Sequence, residues 1–284
     1  MPLGGCLATQ KTLAMKTGVI RKLSGWTLSV WLLLGVAGCA TVPETGRKQV
    51  MLVSGEQATQ LGLASFEKLK KEQPISRDAA ANALVQRVGK RIAAVAPLPG
   101  AQWEFVVFQS AEANAFCLPG GKVGVYTGLL PITRDEAGLA TVLGHEIAHA
   151  VAQHGAERMS QEMLREAGGE LLAGSLSQSD PRTRALVNLA YGLGTQLGAI
   201  LPYSRLHESE ADAMGLLYMA RAGYDPEAAI AFWQRFAEYN RQSGGTALPA
   251  FLRTHPVDET RIRQLQQLMP RAKQEYQNAL RTPR

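Results

Sequence analysis

Residues 141–151 read TVLGHEIAHAV, and the pentapeptide at their centre, His145-Glu146-Ile147-Ala148-His149, decides the fold. On a helix, His145 and His149 lie one turn apart and project from the same face. Two imidazoles at that spacing can hold one zinc ion, and Glu146 between them is placed to take a proton from metal-bound water. The competing reading is a helix with two unrelated histidines, so the surroundings carry weight. Thr133 and Glu136 have the spacing of a capping box, which predicts a helix from about Arg134. Leu139, Val142, Leu143, Ile147 and Val151 recur at helical spacing and predict a half-buried helix, while Gly144 and Ala148 leave room for a close neighbour.

Catalytic zinc usually has three protein ligands and a water. His154 is near, but on a continuous helix it lies about 140° around from His149 and faces away, which suits a solvated or capping histidine. The metzincin extension would need Gly and His where this chain has Ala152 and Gly155, so that class is excluded. Downstream, residues 202–215 read PYSRLHESEADAMG. Glu208 and Asp212 share a helix face, with Glu210 pointing roughly the opposite way. A carboxylate ligand followed one turn on by a second carboxylate suits a metal site, the second orienting a ligand imidazole through its far nitrogen. An acidic face paired with Arg205 or Arg221 is the alternative.

HEIAHAVAQH followed by SRLHESEAD resembles the gluzincin peptidases of the HtpX and CAAX-prenyl-protease type. NAFCLPGGKVGVYTGLL, residues 114–130, is similar to the same family's segment before its active-site helix, and Thr254-His255-Pro256 to its C-terminal His-Pro element. The resemblance runs from about residue 43 to 268. It implies one Zn2+ per chain on His145, His149 and Glu208, with Glu146 as catalytic base and Asp212 as the carboxylate behind a ligand. It also implies an α+β fold: a mainly helical metallopeptidase domain with a small β-sheet beside the active-site helix. Cys117 departs from the family's small residue at that place. Arg205, His207 and His255 are open as donors to the oxyanion. His255 has a further candidate role, as a gate that occupies or approaches the open metal position.

Lys16, Arg21 and Lys22, an apolar run over Trp26–Val36 and Val36-Ala37-Gly38-Cys39 form a lipoprotein signal. The run is about half the ~20 residues a membrane span needs. Cys39 is therefore the expected lipidation site, and residues 1–14 are read as a mis-start ahead of Met15. Residues 1–38 carry four basic groups and no acid, so without them the formal net charge falls from +6 to +2, and nothing points to nucleic acid. Ala40 after the cysteine favours outer-membrane sorting, by resemblance to other bacterial lipoproteins. Only Cys117 then remains; it reads as a small buried residue, without a disulfide partner.

The expected organisation is a signal over 1–38, a lipid anchor and tether over 39–53, and one peptidase domain over 54–284. Helices are expected from Ser54, capped with Gln57, to Glu72, and over 77–95, 204–222, 226–240 and 258–268. Strands are expected at Trp103–Phe108 and Lys122–Thr127. Ala185–Leu201 is apolar enough to raise a transmembrane question, but its glycines, Asn188 and Gln196 favour a helix buried beside the active-site helix. Absence of a span and of internal repeats would place the chain in a soluble periplasmic lipoprotein branch without a helical-repeat extension. An exposed edge at Lys122, Val123, Gly124, Val125 and Tyr126 could pair with an extended peptide and so favour unfolded or misfolded protein substrates. Two alternatives stand beside a zinc endopeptidase of envelope-protein quality control. One is a chaperone-like binding module with a latent zinc site, which would not need Glu146. The other is a prenyl-protein protease, which would need a transmembrane chamber.

Overall fold

The computed structural model describes residues 38–196, 201–242, 251, 255 and 259–281. The basic and apolar parts of the signal, and Ala250, Leu252, Thr254 and Pro256, lie outside them. The folded body is Ala40–Arg284. At its start two short strands, β1 (Gly38–Thr41), whose first two residues precede Ala40, and β2 (Lys48–Met51), form a two-stranded sheet. Residues 40–53, expected as a tether, carry this small sheet and lead from it into the first helix. Val42 N donates to Arg47 O at 2.9 Å, Val42 and Met51 are buried, and the amides of Leu52 and Val53 donate to Ser160 Oγ.

Helix α1 (Gly55–Glu72) starts at the expected capping box: Gln57 N donates to Ser54 Oγ at 3.1 Å and Ser54 N to Gln57 Oε1 at 2.9 Å. Asp78 caps α2 (Ala79–Ala93), whose buried face of Val85, Val88 and Ile92 covers the sheet. That sheet has β3 (Glu104–Phe108), β4 (Ala115–Leu118) and β5 (Lys122–Tyr126) in the order β3-β5-β4. β5 runs parallel to β3 and antiparallel to β4. It is therefore the central strand, and its residues Lys122–Tyr126 have no free edge to offer a peptide. The expectation of an exposed edge there is corrected; the signal missed was β4, whose short Ala-Phe-Cys-Leu run lacks a strand's alternation.

A helical turn and the short α3 (Leu130–Thr133) lead into α4 (Glu136–Val151). The cap is Asp135, not Thr133: Gly138 N donates to Asp135 Oδ1 at 2.7 Å, while Thr133 Oγ1 turns back to Leu130 O. Every residue from Gly138 to Val151 is buried, so α4 is the central helix of the domain rather than a half-exposed one. Leu139, Val142, Leu143 and Ile147 are fully buried, each contributing about 1.5–3 kcal/mol of apolar burial.

Two long helices follow, α5 (His154–Ser175) and α6 (Pro181–Thr195), then α7 (Leu201–Arg221), α8 (Glu227–Gln242) and α9 (Glu259–Arg281). The expectation of a buried helix over Ala185–Leu201 fails for its described part. No residue of α6 is buried, and Leu186, Leu189 and Leu193 are 63, 59 and 54% exposed. Apolar composition makes the segment look internal, but it lies against α5 with its leucines uncovered, Tyr191 Oη donating to Arg165 O at 2.7 Å. Among the described residues no helix is long and apolar enough to cross a membrane. The helix α7 packs directly on α4. A Cβ on Gly215 would stand 2.7 Å from His145 N, and one on Gly144 would stand 2.7 Å from Gly215 O. Only glycine at both places lets the two backbones touch.

Candidate metal centre

The helices α4 and α7 carry the pieces to one point. His145 and His149 leave α4 on the same face and their Nε2 atoms lie 3.1 Å apart. Glu208 of α7 meets both, with Oε2 3.3 Å from His145 Nε2 and Oε1 3.3 Å from His149 Nε2. His255 adds Nδ1, 2.9 Å from Glu208 Oε2 and 3.1 Å from His145 Nε2. Four ligand atoms thus lie within 4.8 Å of one another, and all four residues are nearly inaccessible to solvent.

Such a cluster has no settled hydrogen-bond pattern of its own. His145 Nδ1 lies 2.9 Å from Asp212 Oδ1 and can only donate there, so in the neutral ring Nε2 carries a lone pair that faces His149 Nε2 and the Glu208 carboxylate, with Arg261 Nη2 3.3 Å away. A cation resolves that conflict. With the nearer Glu208 oxygen taken for each imidazole, the separations of 2.9–3.3 Å approach the edge, about 3.3–3.4 Å, of a tetrahedron with bonds of about 2.0–2.1 Å to zinc, and no pair of ligand atoms is more than 4.8 Å apart. The residues fit a metal, and nitrogen and carboxylate donors are the set zinc takes. Glu146 stands beside it. Its Oε1 is buried without a hydrogen-bond partner and lies 3.4 Å from His255 Nε2, and burial pushes its carboxyl above the usual range.

Asp212 lies one turn beyond Glu208 and holds His145, and Arg261 of α9 holds Asp212 in turn, Nη2 donating to Oδ1 at 2.7 Å. The Arg261 guanidinium stacks 3.6 Å from the centroid of Trp233, which also sits edge-on to His145. Sequence reasoning missed Arg261; it is one arginine among many, far along the chain, and nothing in its spacing marks it. Arg205 is exposed at the rim of a cleft of about 610 Å³ that Glu208, Asp212 and Arg261 also line. It makes no hydrogen bond to the ligand atoms among the described contacts. His207 points elsewhere: it is buried, with Nε2 2.8 Å from Glu157 Oε2, and is removed as an oxyanion donor. Cys117, expected to be buried, is half-buried; its desolvated surroundings lift the thiol well above its ordinary range and the charge of Glu146 adds to it, which does not suit a nucleophile.

The largest departure from expectation is His154. It does not face away: its Nδ1 is 2.8 Å from His149 Nδ1, and it is 1% exposed. Helix α4 stops at Val151, and Gln153 takes the left-handed conformation (φ 56°, ψ 32°). The helical wheel therefore ends before His154, which starts α5 and folds back onto the ligand. Its Nε2 reaches Glu210 Oε2 at 3.0 Å. Glu210, on the opposite face of α7 from Glu208, is also held by Thr45 Oγ1 and by Arg47 Nε at 2.8 Å. Burial opposes its charge, but these hydrogen bonds hold its carboxyl down to about 2.

The sequence model of peptidase family M48 matches residues 79–269, well over half of the chain. The chain is 41% identical over 188 residues to the mitochondrial metalloendopeptidase OMA1 of Schizosaccharomyces pombe, covering 66% of this chain and 53% of that protein. It is 33% identical to human mitochondrial metalloendopeptidase OMA1 over 240 residues, 81% of this chain and 46% of the relative. It is 28% identical to the β-barrel assembly-enhancing protease of Escherichia coli over 226 residues, 78% and 46% of the two chains. The chain spans about half the length of these curated relatives.

Proposed function

The chain belongs to peptidase family M48, and from that premise we propose that it is a zinc-dependent endopeptidase, lipid-anchored through Cys39 at the outer membrane and facing the periplasm, that hydrolyses misfolded or unfolded envelope proteins. One observation carries the chemistry: a buried carboxylate oxygen of Glu146 without a hydrogen-bond partner stands beside the converged atoms of His145, His149, Glu208 and His255. A binding module has no use for such an oxygen. A zinc ion on His145, His149 and Glu208 would supply Lewis-acid polarisation of the peptide carbonyl and an acidified water.

The chain's own residues do the remainder. Glu146 accepts the proton of the attacking water and returns it to the leaving amine. Asp212 fixes the tautomer of His145. His255, drawn into the ligand set, acts as a gate that must withdraw before substrate enters. Its backbone N donates to Phe251 O at 2.8 Å, and Phe251 N donates to Ala113 O at 3.3 Å, two residues ahead of β4. Among the described strands β4 pairs only with β5, so extended-peptide recognition is assigned to the outer edge of β4. Edge pairing reads backbone more than side chains, which suits unfolded clients. The Escherichia coli relative's name, a β-barrel assembly-enhancing protease, supports envelope clients.

The test is cleavage of casein and of an unfolded β-barrel protein by purified chain carrying about one zinc, as a mononuclear site requires. Glu146→Gln should keep the zinc and the fold and lose cleavage. Wild-type turnover by that variant would refute the mechanism.

A further inference from the structure

Asp212 accounts for the far nitrogen of His145; a separate set of side chains accounts for that of His149. We propose that His154 and Glu210 are positioning residues for the ligand His149, forming a one-way hydrogen-bond relay that Arg47, ahead of strand β2, clamps from outside. The proposal rests on His149 being a metal ligand, as read above.

Direction follows from proton counting. Glu210 has only lone pairs to offer, so His154 Nε2, 3.0 Å away, must donate to it. A neutral His154 then has a bare Nδ1, and His149 Nδ1, 2.8 Å away, must donate to that. His149 Nε2 is left with its lone pair, directed at Glu208 Oε1 and His145 Nε2. The reverse direction fails at both ends. It sets a lone pair of His154 against the Glu210 carboxylate, and it puts a proton on His149 Nε2, where a cation would bind. Glu210 therefore selects the tautomer of His154, and His154 selects that of His149, with the carboxylate two rings away from the ligand atom. Imidazole basicity at the metal rises when the far N–H is held by an acceptor.

Each member is fixed by further contacts. His154 stacks on His207 with centroids 4.2 Å apart and planes 15° apart. Arg47 spans the two carboxylates behind the relay: Nε donates to Glu210 Oε2 at 2.8 Å, and Nη1 and Nη2 donate to Glu157 at 2.8 and 2.7 Å. Glu157 also receives His207 Nε2. Glu157 and Glu210 are 2 and 6% exposed, and a buried carboxylate stripped of its cation is costly. Three elements, the N-terminal hairpin, α5 and α7, thereby set one ligand of α4.

The test uses the full chain and reads metal and tautomer rather than cleavage. In metal-free wild-type protein, imidazole 15N spectra should show His149 as the Nδ1–H tautomer; the Nε2–H tautomer would overturn the proposal, and this measurement needs no variant to fold. In zinc-loaded protein, His154→Ala should release zinc to a competing chelator about 10–100-fold faster, the usual cost of losing a partner of a ligand imidazole. It should also alter the visible spectrum of the Co2+-substituted site. His154→Gln, whose amide oxygen can accept from His149 while its NH2 donates to Glu210, should recover most of the loss, and Arg47→Gln should speed release several-fold. Wild-type release and Co2+ spectrum in His154→Ala would make His154 a packing residue only and sink the relay. His149→Ala is the control: if it retains zinc, the ligand assignment fails; if it loses zinc while His154→Ala does not, only the relay fails.

Discussion

Gly215→Ala isolates the contact that brings the two ligand-bearing helices together. The added methyl would stand 2.7 Å from His145 N, 2.8 Å from Gly144 C and 2.9 Å from His145 Cα, where ordinary contact begins at 3.4 Å. All three neighbours are backbone, so no side chain can swing aside. Helix α7 must withdraw from α4 by about 0.7 Å, taking Glu208 and Asp212 with it. Metal sites tolerate about ±0.2 Å in ligand distance, so the displacement is several times what the centre can absorb. Overpacking of this kind costs about 1–3 kcal/mol, or roughly 2–12 °C in Tm for a domain of this size. Zinc release to a chelator should rise at least about tenfold, as for other losses of ligand alignment. The assay is thermal unfolding of metal-free and zinc-loaded protein, with release kinetics on the same samples. Gly192→Ala is the matched control: nothing lies within 4 Å of its added methyl, so it should be neutral or stabilise α6 by about 0.5–1 kcal/mol. A Gly215→Ala protein with wild-type Tm and zinc release would refute the close-contact account. A lowered Tm with unchanged zinc release would show that the contact sets stability but not ligand spacing.

Asp212→Ala should weaken zinc binding by about 10–100-fold without abolishing it, checked by competition with a chelator; unchanged affinity would reduce Asp212 to a partner of Arg261. His255→Ala separates two roles by sign: removing a gate should raise basal cleavage of a short peptide, whereas removing an oxyanion donor should lower it. Unchanged kinetics on both a peptide and an unfolded protein would deny His255 either role. Cys39→Ser should abolish labelling by palmitate and block lipoprotein-type processing, and failure of the wild-type protein to take up the label would remove the anchor.

What was legible in the sequence was whatever repeats at helical spacing within one element. His145 with His149, and Glu208 with Asp212, are single turns of α4 and α7, and the structure brings all four to one place. The Ser54–Gln57 capping box is equally local. Reading failed where geometry depends on a break or a distant partner. A helical wheel continued through Gln153 puts His154 on the wrong face, because the backbone there turns left-handed. The strand expected at Lys122–Thr127 is present over Lys122–Tyr126, but its place in the sheet depends on β4, which pairs along the side that the sequence leaves as an edge. Arg261 and Arg47 reach the centre from opposite ends of the chain, and no local pattern announces either. The apolar residues of α6 look like core in the sequence yet are exposed, since composition says nothing about whether a neighbour is present to cover them.

That uncovered stretch bears on how such a chain can vary. The described residues from 161 to 196 include none that is buried, yet they lie between the histidines on one side and Glu208 on the other. The coupling between the two ligand pairs runs through space, across the glycine contact, and the covalent path between them is a detour. Polypeptide can lengthen there at little thermodynamic expense, since each doubling of a flexible connection adds only about 0.6 kcal/mol of closure entropy. The catalytic body thus presents a natural port: an architectural position where appended sequence can acquire new surroundings for the enzyme while the chemistry stays in register.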